Sequence, residues 1–261
     1  MIDLFAYASN MSGTSLNAKG VKTVNIEPAV LADWRMVFDI PDPFPNQGSL
    51  ANIIPSTGHK THGALLQCED EYVEALDRME AVGIIYERRS FNVETYLGER
   101  RTASAYVAIP ERTATEDRPS LRYRNLIVAG GREVGLNATY LEWLSNLPIH
   151  PHPTYAAFDP RTNSPPTISN EELKVRPNHT ALYGHVFDMS DARPEHDFLR
   201  PFFVGTDVTM FLLKRMDATD GAQSVEALQF GQLSENQKKY LNDYLHEFSQ
   251  QYRYVGILNN E

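Results

Sequence analysis

Side chains with hydroxyl or amide groups follow a short apolar run, residues 4–6, near the start of the chain. A strand that ends in small residues exposes successive backbone N–H groups as it turns, and a concave set of such donors binds carboxylates or phosphates. The same segment also fits an edge strand that ends in an ordinary Ser/Asn turn. The candidate ligand-binding residues of this segment are Tyr7, Ala8, Ser9, Asn10 and Met11.

A second candidate for chemistry is Glu80. It follows a stretch in which apolar residues recur every three or four positions, and this spacing predicts an amphipathic helix from Glu69-Asp70 to about Glu80. A carboxyl group can take and return a proton when partial burial raises its pKa. Considered alone, however, an acid at a helix end is usually solvated.

The composition limits the classes of partner. The net charge is −10, and binding to nucleic acid or to anionic membranes without sequence preference needs a positive surface. Apolar runs such as residues 210–213 are far shorter than the roughly 18 residues of a membrane span. The single cysteine, Cys68, excludes an intramolecular disulfide framework. We expect a soluble, cytoplasmic protein with a small-molecule or peptide ligand and without nucleic-acid or membrane partners.

The histidines do not indicate a metal site. Six of the eight occur in pairs, but no pair has the HExxH arrangement with a carboxylate that typifies a zinc enzyme. We therefore expect no native metal. The pairs are His59 and His62, His150 and His152, and His179 and His185.

The patterns of the first half predict a curled sheet with helices outside it. Runs rich in β-branched and aromatic residues predict strands, and Asn137 is placed to cap an amphipathic helix that Pro148 stops. The fold class we expect is α+β, a small curled mixed β-barrel with flanking helices and a smaller C-terminal α+β appendage. The predicted extended segments are 34–54 (two strands and a loop), 63–68, 84–94, 102–109 and 122–128.

A proline-dense stretch suggests a domain boundary, because prolines at this density favour extended linker conformations. We predict a first domain at 1–150, a linker at 151–177 and an accessory domain at 178–261. In the last of these, residues 181–189 read as a strand, and a helix is expected from Thr206 or Asp207. A final helix is expected to open with Ser234 as N-cap and Gln237 in the capping-box position.

Three segments in order resemble the γ-glutamylcyclotransferase-like family over roughly residues 3 to 148. The first is Tyr7-Ala8-Ser9-Asn10-Met11, where the family has a strand and then Tyr-Gly-Ser-Asn and an apolar residue. The second is Leu76-Asp77-Arg78-Met79-Glu80, followed by Tyr86. The third is Tyr123-Arg124-Asn125-Leu126-Ile127, read as a strand, with the Gly130 to Tyr140 segment after it.

This resemblance implies an enzyme that cyclises a γ-glutamyl compound to 5-oxoproline and releases the attached amine. It implies that Glu80 is the general base and then the general acid. The loop from Tyr7 to Met11 would hold the substrate's α-carboxylate and help to stabilise the oxyanion, and Tyr123 would line the pocket. Neither a metal nor a cofactor is implied.

Ala8 stands where the family usually has Gly, and at a positive φ its Cβ would cost about 1 kcal/mol. Gly130-Gly131 is interpreted as a turn, and Glu133 as a surface acid despite its match. Two alternatives therefore stay open. One is that the scaffold serves another acid/base reaction on a specialised metabolite. The other is that the chain is a non-catalytic ligand-binding protein.

Residues 184–258 weakly resemble the cytochrome b5-like haem- and steroid-binding family, for example at Phe203-Val204-Gly205-Thr206-Asp207. The expected haem-ligating tyrosine is missing, so haem binding would be lost, with a haem- or sterol-binding module as a third alternative. The appendage would then cover the pocket, mediate a homodimer or simply stabilise the chain. It suggests a substrate bulkier than a dipeptide, such as a glutathione-derived conjugate.

Overall fold

The computed structural model describes residues 1–160, 164–216 and 233–259. It divides into two compact units, Met1–His152 and Pro153–Glu261. The predicted accessory domain, 178–261, includes residues 217–232 and 260–261, which lie outside the described part, and the predicted linker likewise includes the undescribed residues 161–163. Each unit has its own sheet and core.

The first unit is built on a closed, mixed five-stranded barrel with the order β1-β3-β2-β4-β5. Neighbouring strands are antiparallel except β1 and β5, which pair in parallel at Leu4 and Ser104 and close the barrel. The predicted curled mixed barrel is therefore confirmed. The strands are β1 (Ile2–Ala6), β2 (Asn25–Pro41), β3 (Ser49–Cys68), β4 (Tyr86–Thr95) and β5 (Arg100–Ala108).

The segment 63–68 is the end of the long strand β3 rather than a separate strand. It pairs with β1, and Gly63 allows the close approach because a Cβ there would lie 2.3 Å from the Ala6 carbonyl oxygen. The close fit holds the end of β1 against β3, just before the candidate loop.

Four helices accompany the barrel: α1 (Gly13–Ala18), α2 (Asp70–Met79), α3 (Leu121–Val134) and α4 (Ala138–Ser145). The predictions of α2 and of the Asn137-capped helix α4 are confirmed, since the Asn137 side chain accepts from the N–H groups of Thr139 and Tyr140.

The extended segment predicted at 122–128 is wrong, because these residues lie in α3. Ser120 caps this helix by accepting from the Tyr123 N–H, and Gly135 ends it in the left-handed conformation with φ 81°. Its buried positions Tyr123, Leu126 and Ile127 fit a helical spacing as well as a short apolar strand, an ambiguity that periodicity alone does not resolve.

Gly130 and Gly131 are in the interior of α3 and not in a turn, which corrects the sequence interpretation. A Cβ on Gly130 would lie 2.6 Å from the Ser12 nitrogen and 2.8 Å from the Met11 carbonyl carbon. The glycine is therefore needed where the helix backbone touches the loop that follows β1.

The second unit has a four-stranded sheet of order β6-β9-β8-β7. Its buried side chains include Phe187, Phe203 and Phe248. The elements are β6 (Thr167–Ser169), α5 (Asn170–Val175), β7 (His179–Leu182), β8 (His185–Asp188), α6 (Arg200–Phe203), α7 (Thr209–Met216), α8 (Glu235–Gln251) and β9 (Arg253–Asn259).

Two expectations for this part need correction. The range 151–177 contains β6, which pairs with β9, and α5, which has a Ser169/Glu172 capping box, so it is not linker throughout. The single strand expected at 181–189 is the hairpin β7–β8, because Tyr183 and Gly184 turn the chain with φ 48° and 79°. The helix predicted from Thr206 or Asp207 is present but begins at Thr209, and the capping box of α8 is confirmed.

The contact between α3 and the loop predicts unequal effects of two neighbouring substitutions. Gly130→Ala should lower the free energy of unfolding by about 1–3 kcal/mol, because its methyl group meets backbone atoms. Gly131→Ala is the matched control, since its methyl group meets only the side chains of Leu141 and Leu136 and should change stability by less than about 1 kcal/mol. Urea unfolding measures both, and equal effects would contradict the packing.

Asp188 in β8 predicts a pH dependence for the second unit. Burial raises its pKa, but hydrogen bonds from Ser190 and the ion pair with Arg253 outweigh this and lower the pKa from 3.8 to about 2. Because the folded-state pKa is the lower one, the carboxylate stabilises the fold above about pH 4, and this contribution is lost as the pH falls toward 2.

Asp188→Asn should therefore lower the free energy of unfolding by on the order of 1–2 kcal/mol at neutral pH and by much less near pH 2. The measurement is urea unfolding of the whole chain at both pH values, with hydrogen exchange of β8 to assign the transition. Asp191→Asn, at an exposed neighbour, is the control. A difference that does not change with pH would contradict the ion-pair account.

Candidate active site

Glu80 lies at the C-terminal end of α2, where its N–H still donates to the Leu76 carbonyl. Its side chain is only 15% exposed. The Oε1 atom accepts from Lys19 Nζ at 2.6 Å and from Asn10 Nδ2 at 3.2 Å. No donor in the described part of the chain bonds to Oε2, so one carboxylate oxygen is held and the other is available.

Lys19 also donates to the Asn10 side-chain oxygen at 2.6 Å, which closes a triangle of contacts. The ammonium group, 16% exposed, thus ties the loop after β1 to the end of α2. Lys19 was not predicted as a site residue, because a lone lysine in a polar stretch carries no motif. Only the C-terminal end of α1, folded against the loop, brings it to Glu80.

The loop itself is one 3-10 turn, Ser9–Met11. It is closed by bonds from the Met11 N–H to Ala8 and from the Ser12 N–H to Ser9. Among the described residues, the N–H groups of Ala8, Ser9 and Asn10 have no hydrogen-bond acceptor. Three successive unused donors next to Glu80 form an arrangement that suits an anionic ligand group.

The backbone at Ala8 has φ −134° and ψ −134°. The φ is negative, so the cost of a left-handed conformation does not arise for this residue. Met11 is fully buried and packs into the core below the loop. Its place is therefore that of an anchor, whereas Ala8, Ser9 and Asn10 are partly exposed.

The start of α1 is held by Glu133, an exposed residue of α3, whose Oε2 accepts from the Gly13 N–H at 3.1 Å. Ser12 caps the same helix by accepting from the Ser15 N–H. Together with the Gly130 contact, these bonds fix the backbone between the loop and Lys19. Glu133 thus has a structural contact in addition to being a surface acid.

Three buried tyrosines lie near enough to Glu80 for its charge to act on their hydroxyl groups. Tyr7 donates to the Tyr106 carbonyl at 2.6 Å, and Tyr86 donates to the Ala51 carbonyl at 3.0 Å. The Tyr123 hydroxyl accepts from the Ala51 N–H at 3.4 Å. Tyr123 of α3 therefore meets Ala51, the residue to which Tyr86 also bonds, although α3 replaces the strand predicted for it.

The tyrosine hydroxyls are held in their neutral form. Burial is the main cause that raises the pKa values of Tyr7, Tyr86 and Tyr123 above 10, and the negative charge of Glu80 adds to the increase in each. For Tyr123, hydrogen bonds from Ala51 and the Ser9 side chain oppose this increase. Neutral hydroxyl groups can donate hydrogen bonds without placing a second negative charge beside Glu80.

A further set of contacts orients α2. The Tyr106 hydroxyl donates to Asp77 Oδ1 at 2.8 Å, and Arg88 Nε lies 3.1 Å from the same oxygen. Asp77 belongs to the segment that ends in Glu80, but neither Tyr106 nor Arg88 carried any signal in the sequence. These bonds attach α2 to β4 and β5 and so set the position of Glu80.

In residues 1–160, 164–216 and 233–259, no group of three or more His, Cys, Asp or Glu side chains is arranged to hold a metal ion. The paired histidines make separate contacts: His62 bonds to Tyr96, and His150 pairs with Asp117. Within the same described part, none of the helices combines the length and the apolarity that a bilayer crossing requires.

Comparison with solved structures defines the class of fold. A structure described as a gamma-glutamyl cyclotransferase matches with TM-score 0.50 and 22% identity, over 57% of this chain and 88% of its own. An uncharacterized protein from Homo sapiens matches with TM-score 0.52 and 22% identity, over 60% of this chain and 93% of its own. YkqA from Bacillus subtilis matches with TM-score 0.50 and 23% identity, over 57% of this chain and 55% of its own. The barrel and its helices thus have the γ-glutamylcyclotransferase-like fold.

The sequence comparison finds a match to a family model over part of the chain. Residues 4–125 match the family model described as "Gamma-glutamyl cyclotransferase, AIG2-like", a range that contains the loop, Lys19, Glu80 and Tyr123. No curated protein matches the sequence. The comparisons do not show the cytochrome b5-like resemblance, since the family match ends within the first unit.

The negative φ of Ala8 predicts the outcome of restoring the family's glycine. Ala8→Gly should lower the free energy of unfolding by about 0.4–1 kcal/mol, because glycine raises the entropy of the unfolded chain and relieves no strain here. Urea unfolding at neutral pH measures the change. A gain in stability would contradict the loop conformation.

Proposed function

We propose that the chain is a γ-glutamylcyclotransferase that releases 5-oxoproline from a γ-glutamyl amine, peptide or glutathione-derived conjugate. The observation that carries the proposal is the position of Glu80, partly buried and with one oxygen unbonded, beside a loop with three unused N–H donors. The fold and the family match of residues 4–125 support the same reaction.

In the reaction, the substrate's α-amine attacks its own γ-carbonyl carbon. A new C–N bond closes the five-membered ring, and the amine proton passes to Glu80 Oε2. The tetrahedral intermediate then breaks the C–N bond to the leaving amine, and Glu80 returns the proton to that nitrogen. Atoms and electrons balance without water, metal or redox partner, and one carboxyl group performs both proton transfers.

The geometry supports this use of Glu80. Lys19 and Asn10 hold Oε1, so that the carboxylate has a fixed orientation and Oε2 remains for the proton transfer. The loop N–H groups would bind the α-carboxylate and help to stabilise the oxyanion. Folding the glutamyl chain into a reactive shape makes the attack intramolecular, an effect worth on the order of 7 kcal/mol or more.

The test is incubation with γ-glutamyl amino acids, glutathione and glutathione S-conjugates, with 5-oxoproline detected by mass spectrometry. Glu80→Gln keeps the shape of the side chain but cannot take up the proton, so kcat/KM should fall by about 10²-fold or more. Glu74→Gln is the control, because Glu74 lies on the exposed face of the same helix and should leave kcat/KM unchanged.

Three outcomes would overturn parts of the proposal. Equal turnover by wild type and Glu80→Gln would remove Glu80 as the base. If 5-oxoproline binds in calorimetry but no substrate of the panel reacts, the chain is a binding protein or uses another acid/base reaction. A Soret band after haem addition would instead favour the haem-binding alternative for the second unit.

A further inference from the structure

We propose that Lys19 binds the α-carboxylate of the substrate and restricts the protein to γ-glutamyl groups in which that carboxylate is free. This inference rests on the proposed function, because it concerns the same site. The chemistry of ring closure itself makes no use of an ammonium group, yet the fold places one against Glu80 and Asn10.

The first step of the argument is charge. The α-carbon of a γ-glutamyl group carries both the amine that must reach Glu80 and the carboxylate that must reach the loop. Two carboxylates are therefore brought within a few ångströms of each other, and like charges at such distances repel strongly in a partly desolvated site. A cation between them removes this cost, and Lys19 lies in contact with Glu80 itself, 2.6 Å away.

The second step is the number of donors. An ammonium group has three N–H bonds, and Lys19 uses two of them, for Asn10 Oδ1 and Glu80 Oε1. The third is left for a ligand. Nζ of Lys19 contacts the side chain of Asn10. The backbone N–H of Asn10 is one of the three unused donors of the loop, so Lys19 and this donor belong to the same part of the site.

The third step is rigidity. The backbone N–H of Lys19 donates to the Ser15 and Leu16 carbonyls, and Glu133 and Ser12 hold the other end of α1. The side chain is 16% exposed, so its charge is only partly screened by water. The ammonium group is thus held in place before the substrate arrives, as a binding group for a carboxylate requires.

Binding is the first test, since it does not depend on turnover. Calorimetry compares 5-oxoproline with 2-pyrrolidone, the same ring without the carboxylate. Wild type and Lys19→Arg should bind 5-oxoproline at least about tenfold more tightly than 2-pyrrolidone. Lys19→Met should lose most of this preference. Lys22→Met, at an exposed lysine three residues away, should keep it.

Turnover is the second test. The substrates are the panel substrate with the highest turnover and its α-carboxamide analogue. Lys19→Met should lower kcat/KM for the carboxylate form at least about tenfold more than for the carboxamide, because both substrates lose the contact that orients Glu80 and only the carboxylate form also loses its own ammonium partner. Equal losses on both substrates would show that Lys19 only orients Glu80 or supports the fold, and would overturn the proposal, as would no loss at all. Circular dichroism and the unfolding midpoint verify that the variant is folded.

The two proposals fail in different ways. Lys19-dependent binding of 5-oxoproline without turnover of any panel substrate would leave this inference standing and reject the cyclotransferase reaction. Turnover that depends on Glu80 but changes neither on loss of Lys19 nor on loss of the α-carboxylate would support the cyclotransferase reaction and reject the role of Lys19. Absence of 5-oxoproline binding by the wild type would overturn the role of Lys19.

Discussion

A carboxylate removed from water must be balanced by nearby donors or a cation, and the candidate site of this protein is arranged around that requirement. Glu80 is balanced at one oxygen by the Lys19 ammonium and the Asn10 amide. These three residues come from the end of α2, the end of α1 and the loop after β1. Their contacts therefore join three parts of the chain that are distant in sequence.

The barrel fixes the relative positions of these parts of the chain. Parallel pairing of β1 with β5 places the loop beside Tyr106. The bonds from Tyr106 and Arg88 to Asp77 attach α2 to strands β5 and β4. From the other side, Gly130 lets the backbone of α3 touch the loop. A carboxyl group that transfers protons needs a fixed position, and these contacts fix the position of Glu80.

Much of the fold could be predicted from local patterns, and the rest depended on tertiary contacts. The barrel class, α2 and its end at Glu80, and the caps at Asn137 and Ser234 follow from periodicity and capping chemistry. The helix α3 was predicted as a strand, because a short apolar run fits either period. Lys19 was missed because its importance comes only from contacts 9 and 61 residues away in sequence.

The most direct test of the account is the fate of the glutamyl group during turnover in water enriched in ¹⁸O, followed by mass spectrometry. Intramolecular attack predicts 5-oxoproline without ¹⁸O, with the nitrogen of an ¹⁵N-labelled α-amine retained in the ring. Glutamate that carries one ¹⁸O atom would show that water, and not the α-amine, attacks the γ-carbonyl. That result would contradict the central claim that this site performs a cyclisation.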